Sequence, residues 1–192
     1  MDKKTKLRYY TKAIKINPEH FGALCSKAAT LANLGKKEEA LKFIKRVEGK
    51  CNFYNNCDII QMNTAHILYY LKRYEDALIE LKKAYKLNKG DASYLALLAA
   101  LLILIDNSDE GFDCINKALK IDDKVDSFYY NFACALSIKN KIIDSLEYLK
   151  VAITLNEKNK EEMLIEEDFE NLRMSINIKE IFGIEPIIVK SN

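Results

Sequence analysis

The side chains best suited to chemistry in this sequence are two histidines and five cysteines, and their spacing forms no reactive or metal-binding set. His66 could act as a general base or a metal ligand, because it falls on a predicted helix beside a predicted binding surface. A zinc site gathers several His, Cys or carboxylate ligands, and a catalytic base needs a partner within hydrogen-bond reach. No second His or Cys stands at such spacing from His66, so we expect a neutral polar contact. We predict no catalytic residue, metal or cofactor.

The cysteines are odd in number and lack the spacing of a metal site. We expect reduced thiols, with a Cys51–Cys57 disulfide as the alternative, and Cys134 has no histidine near it in the pattern to make it a nucleophile. The acidic run Glu166-Glu167-Asp168 is interpreted as solvated surface, and the sequence has no glycine-rich phosphate loop. The five cysteines are Cys25, Cys51, Cys57, Cys114 and Cys134.

Charge and hydrophobicity argue against two classes of partner. The 30 Lys and Arg residues against 28 Asp and Glu residues give a net charge of +2, which lacks the large positive excess typical of a nucleic-acid-binding protein. The apolar run from Leu95 to Ile105 is too short to span a bilayer and predicts a buried helix. Met1-Asp2-Lys3-Lys4 leads directly into a charged helix without a signal peptide, so we expect a cytoplasmic protein that binds neither nucleic acid nor membrane.

The elements that must position these residues repeat with a period of 34 residues. Leu95-x2-Leu98-Ala99-x2-Leu102 returns 34 residues later as Tyr129-x2-Phe132-Ala133-x2-Leu136. A fixed period of this length is typical of an array of helix pairs. Three extra residues stand between the second and third copies, and they fit best in the stretch 51–57. Two series of small residues follow the period: Ala28, Ala65, Ala99 and Ala133, and Ala13, Val47, Ala84, Ala118 and Ala152.

Apolar residues at i, i+3, i+4 and i+7 predict two helices in each copy, joined by a short turn. A length of 192 residues suits one continuous array. We therefore predict an all-α fold without a β-sheet. The helices are expected near residues 4–16, 20–33, 37–48, 58–70, 74–87, 92–105, 108–121, 126–138 and 141–155, followed by shorter helices.

Three stretches resemble the tetratricopeptide repeat family: Leu34-Gly35-Lys36-Lys37-Glu38-Glu39-Ala40-Leu41, Leu71-Lys72-Arg73-Tyr74-Glu75-Asp76-Ala77-Leu78 and Lys12-Ala13-Ile14-Lys15-Ile16-Asn17-Pro18. Ala replaces the family's first Gly here, and Leu usually replaces its aromatic residue. The resemblance covers about residues 5–158. It implies a right-handed α-solenoid of antiparallel helix pairs, with a half repeat at 1–18 and repeats at 21–54, 58–91, 92–125 and 126–159.

Residues 159–183 are similar to the capping helices that follow the last repeat in this family. The similarity lies in Glu167-Asp168-Phe169-Glu170-Asn171-Leu172-Arg173, with Ile176 and Phe182 after it. A last repeat leaves one apolar face open, and an atypical segment must cover it. We expect a mobile tail at residues 184–192. The predicted covering residues are Met163, Leu164, Ile165, Phe169, Leu172, Ile181 and Phe182.

The resemblance also implies a concave groove lined by the first helix of each repeat. The rows that would face this groove contain no Lys or Arg, so a clamp for an acidic peptide terminus is not expected. Asn63 and Asn131 could bond the backbone of an extended peptide, and the alternative is that Leu97, Ile103 and Leu104 only meet a neighbouring repeat or the tail. The predicted groove residues are Ser26, Asn33, Met62, Asn63, His66, Tyr69, Tyr70, Leu97, Ile103, Leu104, Tyr130, Asn131 and Cys134.

The sequence thus favours a non-catalytic scaffold that binds a protein or peptide in a neutral, partly apolar groove. The alternative is a self-associating structural module. Leu7, Tyr10 and Ile14 of the half repeat need cover, which a homodimer could supply. A third hypothesis is an interaction domain cut from a larger protein that carries the activity elsewhere.

Overall fold

The computed structural model describes residues 3–48 and 57–183, and every regular element in this part of the chain is helical. The predicted all-α class is confirmed, and the nine predicted helices are found with bounds that agree to within one residue. The loop around Cys51 and the expected tail at 184–192 lie outside the described residues. The helices are α1 (Lys3–Ile16), α2 (Phe21–Asn33), α3 (Lys37–Glu48), α4 (Cys57–Tyr70), α5 (Tyr74–Leu87), α6 (Ala92–Leu104), α7 (Ser108–Ile121), α8 (Asp126–Ile138), α9 (Ile142–Leu155), α10 (Lys158–Ile165), α11 (Glu170–Ser175) and α12 (Ile178–Phe182), with a 3-10 turn at Glu167–Phe169 before α11.

The turns between the two helices of a repeat all end the first helix in the same way. In the first of them, Lys36 N donates to Leu31 O and Gly35 N donates to Ala32 O, each at 2.9 Å. These two bonds form a Schellman motif, which requires a positive φ after the helix and therefore favours glycine. The residues with positive φ recur in register, at Gly35 (73°), Lys72 (58°), Asp106 (66°) and Asn140 (57°).

The chain divides into two compact units, and α6 spans the division between them. Unit 1 comprises Met1–Tyr94 and unit 2 comprises Leu95–Asn192. The right-handed superhelix expected from the resemblance is a property of the whole array and stays a prediction, as do the repeat boundaries. No helix of the described residues is long and apolar enough to cross a membrane.

Unit 1 is built on fully buried small residues at the helix crossings. Ala28, Ala40 and Ala65 have no exposed surface, so the backbones of paired helices can approach closely. Leu7 and Ile14 of α1 pack against the buried clusters formed by α2, α3 and α4. α2 and its neighbours therefore supply part of the cover that these two residues need, and both they and Tyr10 stay only partly buried, so further cover from outside stays a prediction.

Unit 2 shows the same principle at Gly111 of α7. A Cβ atom on Gly111 would lie 3.0 Å from Ile103 Cδ1 and 3.2 Å from the carbonyl oxygen of Ala99. Glycine therefore permits α6 and α7 to cross closely, which offsets its low helix propensity. In the next pair, Ser145 occupies the equivalent position, and its hydroxyl donates to Ala133 O at 2.8 Å.

The segment after α9 packs against α8 and α9 and covers their apolar surface. Met163, Phe169 and Leu172 are fully buried with Ala133 and Leu149 in one cluster. Arg173 Nη1 donates to the carbonyl oxygens of Met163 at 2.7 Å and Glu166 at 2.5 Å, which satisfies backbone acceptors near the end of α10.

Two residues predicted to contribute to this cover are instead exposed. Ile165 is 66% exposed and Ile181 is 37% exposed. Met163 and Leu164 take the inward side of α10, and Ile165 follows them onto its outward side because successive helical residues are about 100° apart.

Candidate partner-binding site

One side of α4 in unit 1 carries polar and aromatic side chains that remain accessible. Met62, Asn63, His66, Tyr69 and Tyr70 occur at i, i+1, i+4, i+7 and i+8, so they share this side of the helix. The other side of α4 is buried. α2 packs beside α4, and Ser26 of α2 is the repeat equivalent of Asn63. We define the α2–α4 face as Ser26, Met62, Asn63, His66, Tyr69 and Tyr70, all of which are partly or fully exposed.

Asn63 has part of its hydrogen-bonding capacity committed to its own helix. Its Nδ2 donates to the carbonyl oxygen of Ile59 at 2.8 Å. The amide still offers Oδ1 and a second N–H to a ligand, which is enough to accept and donate one bond each. Asn33, the other predicted asparagine of this unit, ends α2, and its side chain lies outside the described part of the structure.

His66 is electrically neutral at neutral pH. Burial lowers the pKa of its imidazole below the ordinary histidine value. Among the described residues, no group of His, Cys, Asp and Glu side chains could hold a metal ion. The lowered pKa agrees with a neutral imidazole, and the polar contact expected from the sequence stays a prediction.

Tyr69 and Tyr70 form an aromatic edge at the end of the face, together with Tyr74 of α5. The ring centroids of Tyr69 and Tyr70 are 5.8 Å apart in an edge-to-face arrangement, and those of Tyr69 and Tyr74 are also 5.8 Å apart. Such pairs hold aromatic rings in fixed positions while part of their surface stays accessible. Tyr70 keeps 41% of its surface exposed.

The predicted groove residues of α6 are buried and do not line an open surface. Leu97, Ile103 and Leu104 are 6%, 0% and 5% exposed. Ile103 fills the space beside Gly111, where α7 crosses α6 closely. The residues of α6 are apolar on nearly every side, and such a helix is buried all round. These three side chains are therefore core residues in the isolated chain.

In the last repeat, the capping segment occupies the predicted surface. The Tyr130 ring meets Phe169 edge to face at 5.2 Å between centroids, and Cys134 is buried in the same cluster. Burial raises the pKa of the Cys134 thiol well above its ordinary value, so the thiol stays protonated and unreactive. Asn131 alone of the three predicted residues of α8 is exposed. In this repeat the capping segment therefore packs on Tyr130 and Cys134 and leaves Asn131 exposed.

The sequence analysis missed a recurring polar tie between the start and the end of a repeat. In unit 1, Asp58 Oδ2 accepts from Asn88 Nδ2 at 3.4 Å and from the Tyr94 hydroxyl at 3.1 Å. Burial, helped by the bond to Asp58, raises the pKa of Tyr94 to about 12. These contacts join α4 to the end of α5 and to the start of α6, and their role is structural.

Unit 2 repeats this tie with Asp126. Its Oδ2 accepts from Asn156 Nδ2 at 2.8 Å and from Asn159 Nδ2 at 2.9 Å. Burial opposes ionisation of Asp126, but the bonds from the two asparagines outweigh it and lower the pKa of the carboxyl. The Asp and Asn of both ties are 30 residues apart in sequence, a signal that could have revealed them.

Comparison with known proteins gives one family and one fold. The sequence profile of the tetratricopeptide repeat matches residues 9–42. No match is found among curated protein sequences. The crystal structure of TTC0263, a thermophilic tetratricopeptide repeat protein of Thermus thermophilus, is similar at 21% identity with a TM-score of 0.65, over 79% of this chain and 82% of that one.

Two further solved structures share the fold. PilF of Pseudomonas aeruginosa is 16% identical with a TM-score of 0.58, over 91% of this chain and 82% of the other. YrrB, described as a tetratricopeptide repeat protein with an unusual peptide-binding site, is 14% identical with a TM-score of 0.51, over 91% of this chain and 92% of the other.

Proposed function

We propose that the protein is a non-catalytic scaffold that binds an extended peptide of a partner protein on the α2–α4 face, since residues 9–42 match the tetratricopeptide repeat and the fold is shared with solved tetratricopeptide repeat proteins. Proteins of this family generally serve as non-catalytic scaffolds. We place the protein in the cytoplasm. The observation that carries the proposal is the accessibility of polar and aromatic side chains on this face, while the equivalent rows of α6 and α8 are buried or covered.

The chemistry of the face suits an uncharged segment of peptide. Asn63 can accept one bond from a peptide N–H and donate one to a carbonyl. Met62 is flexible and polarisable, so it adapts to side chains of different shape. Tyr69 and Tyr70 offer large rings with a polar end, which bind at a low cost in side-chain entropy.

An acidic peptide terminus does not suit this face. A desolvated carboxylate needs a cationic partner, and the face contains neither Lys nor Arg. The nearest basic residue in sequence is Lys27, whose Nζ lies over the Phe43 ring at 4.8 Å from the centroid. YrrB is a fold neighbour described as having a peptide-binding site, which supports a peptide as the class of ligand.

A double substitution on the face tests the proposal. Asn63→Ala with Tyr70→Ala should weaken capture of the partner from a lysate of the source organism by about tenfold, since each lost contact contributes about 0.5–1.5 kcal/mol. The matched control is Asn116→Ala with Tyr85→Ala, which removes the same two side-chain types from second helices. Helical circular dichroism should be unchanged in both variants. Equal capture by the face variant and the wild type would rule out this face as the binding site.

Salt dependence provides a second test of the same site. Binding to a neutral face should change little between low and high ionic strength, whereas a charge-steered ligand loses affinity steeply. Isothermal titration with the captured peptide measures this directly. A steep loss of affinity at high salt would place the contact on one of the charged surfaces of the chain.

A further inference from the structure

Helix α1 is the most strongly basic element of a chain that is nearly neutral overall. It contains six Lys and Arg residues and no acidic residue, whereas the whole chain has a net charge of only +2. Three of these charges, on Lys3, Lys4 and Lys6, lie in or next to the first turn of the helix. This is the positive end of the helix dipole, which disfavours cations. An anionic surface placed against α1 would relieve this repulsion.

The basic residues of α1 lie on the side that faces away from the core of unit 1. Lys4, Arg8, Lys12 and Lys15 follow one another at spacings of four, four and three, so they form one stripe. All four are exposed, and among the described residues none of them takes part in an ion pair. Leu7 and Ile14 lie on a different side of α1, where they pack against the buried clusters of unit 1.

Apolar surface accompanies this basic stripe. Tyr9 is 61% exposed and Ile16 is 84% exposed. The two residues lie beside the stripe, about two helical turns from each other. An open cleft of about 560 Å³ runs along the same helix, with Arg8, Tyr9, Lys12 and Lys15 among its lining residues. We define the basic end as Lys4, Arg8, Tyr9, Lys12, Lys15 and Ile16.

The capping segment of unit 2 carries mainly negative charge, which is complementary to the positive charge of α1. Residues 157–170 contain seven acidic residues against two lysines. On this segment, Ile165 is 66% exposed, and Met174 of the following helix is 79% exposed. We define the acidic end as the exposed residues Glu157, Glu161, Glu162, Ile165, Glu167, Glu170 and Met174.

We propose that the basic end of one copy docks on the acidic end of a second copy, so that the protein assembles head to tail. Each end presents charges of one sign together with exposed apolar side chains, and opposite potentials of this kind steer association and fix its orientation. A nucleic acid would complement only the basic end. In a contact between two copies, the basic end of one copy meets the acidic end of the other, so one type of contact accounts for both ends.

This contact is heterologous, because it joins two different surfaces. Repetition of a heterologous contact gives a ring when the rotation closes and an open chain when it does not. The assembly is therefore distinct from the symmetric homodimer considered from the sequence. It also leaves the α2–α4 face out of the contact, so a failure here would not affect the proposed peptide site.

Sedimentation velocity of the full chain tests the contact. The mean mass of the wild type should rise with protein concentration at low salt and fall when salt is added, since exposed charge pairs are screened. The basic-end variant Arg8→Glu, Lys12→Glu, Lys15→Glu and the acidic-end variant Glu157→Lys, Glu161→Lys, Glu162→Lys should each weaken association by about tenfold or more, because like charges then face each other.

The decisive measurement is a mixture of the two variants. The reversed basic end of one variant is complementary to the reversed acidic end of the other, so the mixture should associate more strongly than either variant alone. The control variant Lys82→Glu, Lys86→Glu, Lys89→Glu changes the net charge equally on exposed residues of α5 and the loop after it, and it should associate like the wild type. Helical circular dichroism should confirm that all variants fold.

Two results would overturn the proposal. One is a wild type that remains monomeric at low salt and high concentration. The other is a mixture of the two folded variants that associates no more than each variant alone.

Discussion

Helices α4 and α8 hold the same position in their repeats, yet the capping segment packs against the outer side of α8 and buries part of it. Met62 corresponds to Tyr130, Asn63 to Asn131 and His66 to Cys134, each 68 residues later. In unit 1 Met62, Asn63 and His66 are each partly exposed, whereas in unit 2 the cap packs against Tyr130, buries Cys134 and leaves Asn131 exposed. The repeat position decides which way a side chain points, but the segment that follows the repeat decides whether the side chain remains available to a partner.

The largest expected effect is the removal of a ring from the cap. Phe169→Ala should reduce the free energy of unfolding by about 3–5 kcal/mol, because it leaves a cavity beside Tyr130 in a fully buried cluster. Tyr70→Ala on the open face should cost much less, because Tyr70 is 41% exposed. Urea unfolding of both variants measures the difference. Equal losses would mean that the two surfaces are covered to the same degree.

The next largest loss of stability is expected when a small residue beneath one of the two surfaces is enlarged. Ala133→Leu should destabilise the protein by about 1–3 kcal/mol through overpacking, since Ala133 has no exposed surface. Ala29→Leu is the matched control, because Ala29 on the first helix of unit 1 is partly exposed. Thermal unfolding should distinguish the two variants. An unchanged melting temperature for Ala133→Leu would show that α8 and its neighbours cross less closely than described.

A smaller effect is expected at the turns, which are alike in both units. Lys72→Gly should stabilise unit 1 by about 0.5–1 kcal/mol, because glycine adopts the positive φ of 58° without steric strain. Asn140→Gly in unit 2 should gain less, because asparagine tolerates this conformation better than lysine. Chemical unfolding compares the two. A loss of stability in Lys72→Gly would indicate that the lysine side chain makes a contact worth more than the strain.

The smallest effect is a dependence of stability on pH between neutral and mildly acidic conditions, which arises at His66 of the open face. The folded pKa of His66 lies below its ordinary value of 6.5, so the unfolded chain binds the proton more readily. This contribution to stability is therefore present above pH 6.5 and declines as the pH falls below it. His66→Gln should flatten the decline in unfolding free energy between neutral and mildly acidic pH. Cys134, at the equivalent position, stays protonated throughout this range.

The sequence predicted the helices well because their signals are local. Alternating small and large apolar residues placed the crossings, and the period placed the turns even where Lys72 or Asp106 stands instead of glycine. Of the predicted groove residues that the structure describes, those of unit 1 and Asn131 keep exposed surface, whereas those of α6 are buried, and binding at any of them stays a prediction. Nothing in the repeat pattern reveals that Phe169 will cover Tyr130, because the two lie 39 residues apart and only one belongs to a repeat.

The same limitation explains the error at α6. Leu97 occupies the repeat position of Asn63, so the period alone predicts that both face the groove. The apolar character of α6 on nearly every side was the stronger signal, and it indicates burial. A substitution such as Leu97→Asp, which would alter binding on an open face, should therefore unfold the protein by burying an unpaired charge.

The buried thiols allow local opening of the structure to be measured at defined positions. Cys25 lies in unit 1, while Cys114 and Cys134 lie in unit 2, and all three are buried thiols that form no disulfide. Burial raises the pKa of Cys25 to about 12, which suppresses the reactive thiolate in the native state. Alkylation at each cysteine, followed by mass spectrometry, would then measure how often its surroundings open to the reagent. The alkylation rates at Cys25 and Cys134 would compare the opening of the two units without an engineered cysteine or an attached probe.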